Sequence, residues 1–186
     1  MASHVALLRG INVGGQNKVP MADLREVVAS LGHTGVTTYI QSGNVLFSTA
    51  DADTAKLASE LESAIAGRFG IRSSVVVLTR DELAEVLSGN PYAGEPNLKL
   101  VHVVFLSAEP PQDLLDRVAA AQSAAAARGS RDSVTAVGRA LFLHTPGGYG
   151  TSELARWLAG VKSKGLTVTA RNWATASKLL ALCDGE

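Results

Sequence analysis

Leu7-Leu8-Arg9-Gly10-Ile11-Asn12-Val13-Gly14-Gly15-Gln16-Asn17-Lys18-Val19-Pro20-Met21 reads as a strand, a glycine-rich loop and the start of a helix. Gly10, Gly14 and Gly15, with Asn12 and Asn17, let the backbone turn tightly and offer bare N–H groups, and Pro20 sits where a helix begins. A loop of this kind at a helix N-terminus is a common place for an anion. It is not a P-loop, because Lys18 follows Asn17 rather than glycine and precedes Val19 rather than Ser or Thr. Nor is Gly10-Ile11-Asn12-Val13-Gly14 the dinucleotide fingerprint.

Outward from this stretch, hydrophobic periodicity predicts strand 5–8, helix 21–31, strands 37–41 and 45–48, helix 54–69, strand 74–78 and helix 80–87. Leu24, Val27, Val28 and Leu31 line one face of the first helix, and Leu57, Leu61, Ile65 and Phe69 one face of the second. Tyr39 to Phe47 places turn residues Ser42-Gly43-Asn44 between β-formers, the pattern of a hairpin. The second half repeats the order: strand 100–106, helix 112–128, strands 133–137 and 140–144, helix 152–162, strand 166–169 and helix 172–182. Gly43, Leu46 and Phe47 resemble Gly138, Leu141 and Phe142, and Thr79-Arg80-Asp81 resembles Ala170-Arg171-Asn172.

The expected fold is therefore α+β: a tandem duplication of two ferredoxin-like βαββαβ units, each followed by a helix, with mainly antiparallel sheets. Residues 1–90 form the first repeat, 91–98 a linker rich in turn formers and 99–186 the second repeat. Leu8 matches Leu106 at a spacing of 98, whereas Asp23-Leu24 matches Asp113-Leu114 at a spacing of 90. The first copy thus carries about 8 extra residues, and these are the glycine-rich loop. Long loops on a rigid scaffold concentrate binding groups, although an insertion can also be merely tolerated.

Composition bounds the chemistry. The 186 residues are 46% hydrophobic, enough for one sizeable core or two small ones, and 17 basic residues balance 17 acidic ones. Zero net charge gives no global attraction for nucleic acid or anionic membrane. Arg156 to Lys178 is a local exception, with five cations and no acid, most simply a solvated face. No run approaches a membrane span and no leader pattern is visible, so no membrane partner is expected. Cys183, the only cysteine, permits no internal disulfide and suggests a reducing cytoplasm. His4, His33, His102 and His144 are scattered without metal-ligand spacing, no serine sits in a Gly-x-Ser-x-Gly elbow, and no metal is expected. Trp157 has the spacing of a core residue; Trp173 suits either a stacking surface or a core plug.

In a βαββαβ layer the first strand ends beside the second-to-third strand turn. Arg9, Gly10, Asn12, Gly14, Gly15, Lys18, Gln41, Ser42 and Asn44 are then candidates to converge on one ligand. The alternative is that their polar groups satisfy the loop's own backbone. By the same topology Tyr149, Ser152, Arg171, Asn172 and Trp173 share an edge of the second unit, where Thr151 or Ser152, and Asn172, also suit helix N-caps.

The run from Leu7 to Gly15, then Asn17 to Met21, Tyr39 to Asn44, Gly148-Tyr149-Gly150-x-Ser152 and Arg171-Asn172-Trp173-x-Thr175 resembles the bacterial DUF1697 family over nearly the whole chain. The resemblance implies a duplicated α+β architecture and no activity, since the family is named for the lack of one. Gln16, Thr151 and Ala174 depart from its frequent lysine, arginine and asparagine, each removing a cationic or polar group.

The leading expectation is a cytoplasmic protein that binds a polar or phosphorylated small ligand at the glycine-rich loop and the Arg171-Asn172-Trp173 corner. Two alternatives are a nucleic-acid-binding protein and a structural or interaction module without a ligand. Neither a reaction, a cofactor nor an oligomeric state is specified by the residues.

Overall fold

The computed structural model describes residues 1–186. Each half follows the βαββαβ order and ends in a further helix, the α+β arrangement expected. Strands β1 (His4–Leu8), β2 (Thr34–Tyr39), β3 (Asn44–Ser48) and β4 (Val75–Thr79) form one sheet in the order β2-β3-β1-β4. In the second sheet β5 (Val101–Leu106), β6 (Ser133–Val137), β7 (Ala140–His144) and β8 (Val168–Asn172) take the matching order β6-β7-β5-β8. Every neighbouring pair is antiparallel. The helices are α1 (Met21–Ser30), α2 (Thr54–Phe69), α3 (Arg80–Ser88), α4 (Gln112–Ala127), α5 (Glu153–Gly160) and α6 (Trp173–Asp184), and none is long and apolar enough to cross a membrane.

Two compact units result, Met1–Glu85 with Lys178–Glu186, and Val86–Ser177. Residues 91–98 therefore group with the second unit. Tyr92 Oη lies 3.0 Å from both Ser133 Oγ and Thr135 Oγ1, and His144 Nε2 lies 2.7 Å from Glu95 Oε2. These bonds fasten the turn-rich segment to β6 and β7. The final residues join the first unit, where Ala2 N–H donates to Cys183 O and the Arg80 guanidinium grips both carboxylate oxygens of Asp184.

In the first unit Leu24 and Val28 of α1 and Leu57, Leu61 and Ile65 of α2 pack on Ala6, Leu8, Val45, Phe47, Val75 and Val77. Burying each large apolar side chain contributes about 1.5–3 kcal/mol. The alternate strand residues Val5, Leu7, Leu46, Val76 and Leu78 are buried too. Burial on both faces explains why these strands read as continuous apolar runs rather than alternating ones. The second unit repeats this arrangement with Leu114, Val118, Leu154 and Leu158 against Val104, Leu106, Leu141, Leu143 and Val168.

Helix ends follow local chemistry. Asp53 caps α2 by accepting from the N–H groups of Ala55 and Lys56, and Gly70 closes it in the left-handed conformation. Thr79 and Glu82 form a reciprocal capping box at α3, with Thr79 N–H donating to Glu82 Oε2 and Glu82 N–H to Thr79 Oγ1.

Strand register corrects both sets of residue matches between the halves. With Leu8 equivalent to Leu106, Leu8 N–H donates to Gly43 O and Leu106 N–H donates to Arg139 O. Gly43 thus corresponds to Arg139 rather than to Gly138. The turns differ in length: Tyr39 pairs with Asn44 across four residues, but Val137 pairs with Ala140 across two. An alignment anchored on the turn glycine slips by one. Likewise His4 pairs with Thr79 and His102 with Asn172, so Thr79 corresponds to Asn172 and both cap the following helix.

Candidate functional site

In the first unit the end of β1, the β2–β3 turn and the entry to β4 meet at one sheet edge. Leu8 N–H reaches Gly43 O, Arg9 N–H reaches Ser74 O, and Ser73 Oγ donates to Arg9 O. The glycine-rich loop grows from this edge. A Cβ on Gly43, at φ +77°, would stand 2.8 Å from Leu8 Cβ and from Ile11 Cδ1, so only glycine lets the loop close on the hairpin.

The loop itself is a small hairpin. Gln16 N–H donates to Val13 O across Gly14 and Gly15, whose φ values of +59° and +78° match a type I′ turn. At its base the Asn12 Nδ2 amide donates to Val19 O and Gln41 O, Asn12 Oδ1 accepts from Val19 N–H, and Asn17 Nδ2 donates to Gly10 O. Asn12 and Asn17 adopt left-handed φ values of 54° and 49°, a conformation that asparagine tolerates better than most residues. The Asn12 side chain is consequently a strut, and the polar surface left at the tip is backbone. The Gly14 and Gly15 N–H groups make no hydrogen bond within the chain. Lys18 is exposed and forms no ion pair, while Gln41 is exposed on the neighbouring turn.

Asn44 is fully buried and donates to Tyr39 O and Ser42 Oγ, holding the four-residue turn from inside. Arg9 and Ser42 are half-buried at the same edge. Gly10 is exposed with φ +69°. The first unit therefore brings its nine sequence-derived candidates to one edge, where Asn12 and Asn44 bond the loop and turn from within and Gly14, Gly15, Lys18 and Gln41 are exposed.

In the second unit His102 and Asn172 are register partners, and the Tyr149 ring stacks on His102 with centroids 4.0 Å apart. Asn172 Oδ1 accepts from Ala174 N–H as the cap of α6. Trp173 is half-buried and its ring meets Phe142 at 6.4 Å. Arg171 is buried, donating to Thr169 Oγ1 and Ala170 O, and desolvation pushes its pKa down to about 10. Ser152 caps α5 through Ala155 N–H and donates at 2.6 Å to Asp132 Oδ2. That pair lines a concavity of about 360 Å³ with Gly147, Gly148, Arg128 and Arg131.

Three contacts had no signal in linear spacing. His102 interrupts the apolar run Val101–Leu106; it is buried, its Nδ1 has no partner, and desolvation lowers its pKa to about 4. Asp132 meets Ser152 only through the loop before β6. Glu95, in the turn-rich segment, finds His144, and hydrogen bonds from Asn97 N–H and His144 hold its carboxyl below the usual range.

The model of a family described as "Protein of unknown function (DUF1697)" matches residues 1–142. Among solved structures, the chain is similar to the conserved bacterial protein SP0830 from Streptococcus pneumoniae, with a TM-score of 0.73 and 26% sequence identity covering 98% of each chain. No curated protein matches.

Proposed function

This chain belongs to the DUF1697 family of proteins of unknown function, and we propose that it binds a small polar or phosphorylated ligand at the glycine-rich loop of its first unit. One observation carries the reading. The loop is locked at its base by Asn12 and Asn17, yet its tip presents the unbonded N–H groups of Gly14 and Gly15 with the unpaired Lys18 nearby in sequence. Preformed backbone donors on a loop that also carries a cation suit a phosphate or carboxylate oxygen, because the ordering cost is met before the ligand arrives. The Asn172-Trp173 corner of the second unit is the other candidate surface in this proposal. A reducing, cytoplasmic setting is proposed on the single, buried Cys183.

Thermal unfolding in the presence of nucleotides, sugar phosphates and related metabolites tests the reading. A ligand at a hundredfold excess over its Kd stabilises the folded protein by about 2.7 kcal/mol. For a chain of this size that is a Tm rise of roughly 5–10 °C. The rise is expected to shrink in Lys18→Ala; hits that stabilise Lys18→Ala as strongly as the parent chain refute the assignment.

A second reading rests on a separate observation. Val13 and Ile40 are 67% and 50% exposed, on two loops joined by the Asn12–Gln41 bond. Such an apolar pair suits contact with a second copy of the chain. Sedimentation of the parent and of a Val13→Ser, Ile40→Ser variant checks it, and a parent chain that stays monomeric at high concentration removes it.

A further inference from the structure

A groove of about 440 Å³ in the second unit, outside every candidate site above, is lined by Arg117, Arg156, Trp157, Gly160, Val161 and Lys162. Its walls are α4, which carries Arg117, and the end of α5. Leu154, Ala155, Leu158 and Val161 form the buried stripe of that helix and its cap. Trp157 lies at the border of this stripe: part of its indole packs on the core, and part faces the groove. An all-core assignment for Trp157, expected from its spacing, leaves that second face unaccounted for.

The lining carries net positive charge. Arg117 is a strut, with Nη1 donating to Lys162 O at 3.1 Å and Nη2 paired with Asp113 at 3.4 Å. Arg156 and Lys162 are exposed and form no ion pair. No acidic residue lines the groove. The carbonyl end of α5 contributes about −0.5 of an elementary charge, which two unpaired cations exceed several-fold. Complementing that helix end does not require both of them. An indole and two unneutralised cations on one lining, with a third cation tying α4 to Lys162 O, match a planar ring carrying a phosphate.

We propose that the α4–α5 groove binds a phosphorylated nucleobase, with the base against the Trp157 indole and the phosphate between Arg156 and Lys162. The same chemistry is offered by a free nucleotide and by one nucleotide of a single strand. Stacking on an aromatic side chain tolerates any base, so the groove recognises the class rather than a sequence. The site is independent of the glycine-rich loop, and its readout is local to Trp157.

The full chain, labelled with ¹⁵N, is titrated with adenosine monophosphate, with a short oligoadenylate and with inorganic phosphate, following the Trp157 indole N–H resonance assigned through Trp157→Phe. A saturable shift with either nucleotide probe is expected, weakened on the order of tenfold or more in Arg156→Glu with Lys162→Glu, two surface changes that spare the core. Saturation by the monophosphate as tight as by the oligomer identifies a free nucleotide. Binding of the oligomer alone identifies a strand, with log K falling against log salt at a slope of about −0.7 for the one phosphate held between the two cations. An indole resonance unmoved by both probes overturns the proposal. So does an affinity untouched by the double charge reversal, or inorganic phosphate binding as tightly as the monophosphate.

Discussion

Asn12 and Val19 exchange two hydrogen bonds, Asn12 Nδ2 to Val19 O at 3.0 Å and Val19 N–H to Asn12 Oδ1 at 2.8 Å. The six-residue excursion between them is thereby closed by a side chain rather than by a longer ladder. Replacing Asn12 by Ala removes these bonds and the one to Gln41 O, and it places a residue less suited to positive φ at 54°. The expected cost is about 2 kcal/mol in urea unfolding, with faster amide exchange at Gly14 and Gly15. A cost under about 0.5 kcal/mol, within the range of an ordinary surface change, contradicts the strut.

Gly43 and Gly14 both hold positive φ but differ in surroundings. A Cβ at Gly43 meets Leu8 and Ile11 at 2.8 Å, whereas at Gly14 nothing lies within 4 Å. Gly14→Ala is expected to cost about 1 kcal/mol from backbone strain alone. Gly43→Ala is expected to cost about 3 kcal/mol, since overpacking adds to strain. Equal costs in paired urea titrations indicate that the loop does not press on the hairpin.

Below neutral pH the histidines set the first window of instability. Burial lowers the His102 pKa from 6.5 to about 4, so the unfolded chain binds a proton at pH values where the folded chain does not. Its stabilising contribution is complete above about pH 6.5 and declines as pH falls toward 4, a loss of about 2 kcal/mol between pH 7 and pH 5. His4 is lowered in the same direction, chiefly by desolvation. Asp51, Glu95 and Asp184 are depressed by their hydrogen bonds and act in a second, more acidic window, below their ordinary values of 3.8 to 4.5. Unfolding of His102→Gln across pH 5–7 is expected to show a flatter profile than the parent; identical slopes refute the assignment.

Ser152 joins two elements, accepting from Ala155 N–H at the start of α5 and donating to Asp132. Ser152→Ala is expected to destabilise by about 1–2 kcal/mol, and Ser152→Gly by less at the cap itself. Thermal unfolding of both variants measures it, and an unchanged Tm in Ser152→Ala shows the pair to be unimportant for folding.

Much of the architecture was written in the periodicity. Apolar spacing placed α1, α2 and both hairpins because those elements bury one stripe or one continuous strand, a local property of the chain. Strand β2 begins at Thr34 rather than Thr37, and the register shifts between those residues. Such a bulge leaves no mark in alternation. The β8 strand runs on to Asn172, three residues past the expected end, because Arg171 is buried in the ladder opposite Val103. At the site, glycine and asparagine content identified the loop, but not the division of labour within it. Asn12 and Lys18 look alike as polar candidates in sequence; only the fold directs one inward to Val19 and leaves the other exposed. Glu95–His144 and Asp132–Ser152 join residues separated by 49 and 20 positions, beyond any spacing rule.

We propose the tip of the glycine-rich loop as a preformed donor site for a polar or phosphorylated ligand. Titrating ¹⁵N-labelled protein with the metabolites that raise its Tm, and following the Gly14 and Gly15 amides, tests it most directly. Both resonances are expected to move in a saturable, concentration-dependent way, with affinity reduced in Lys18→Ala. Ligands that raise Tm while leaving both amides unmoved would contradict it.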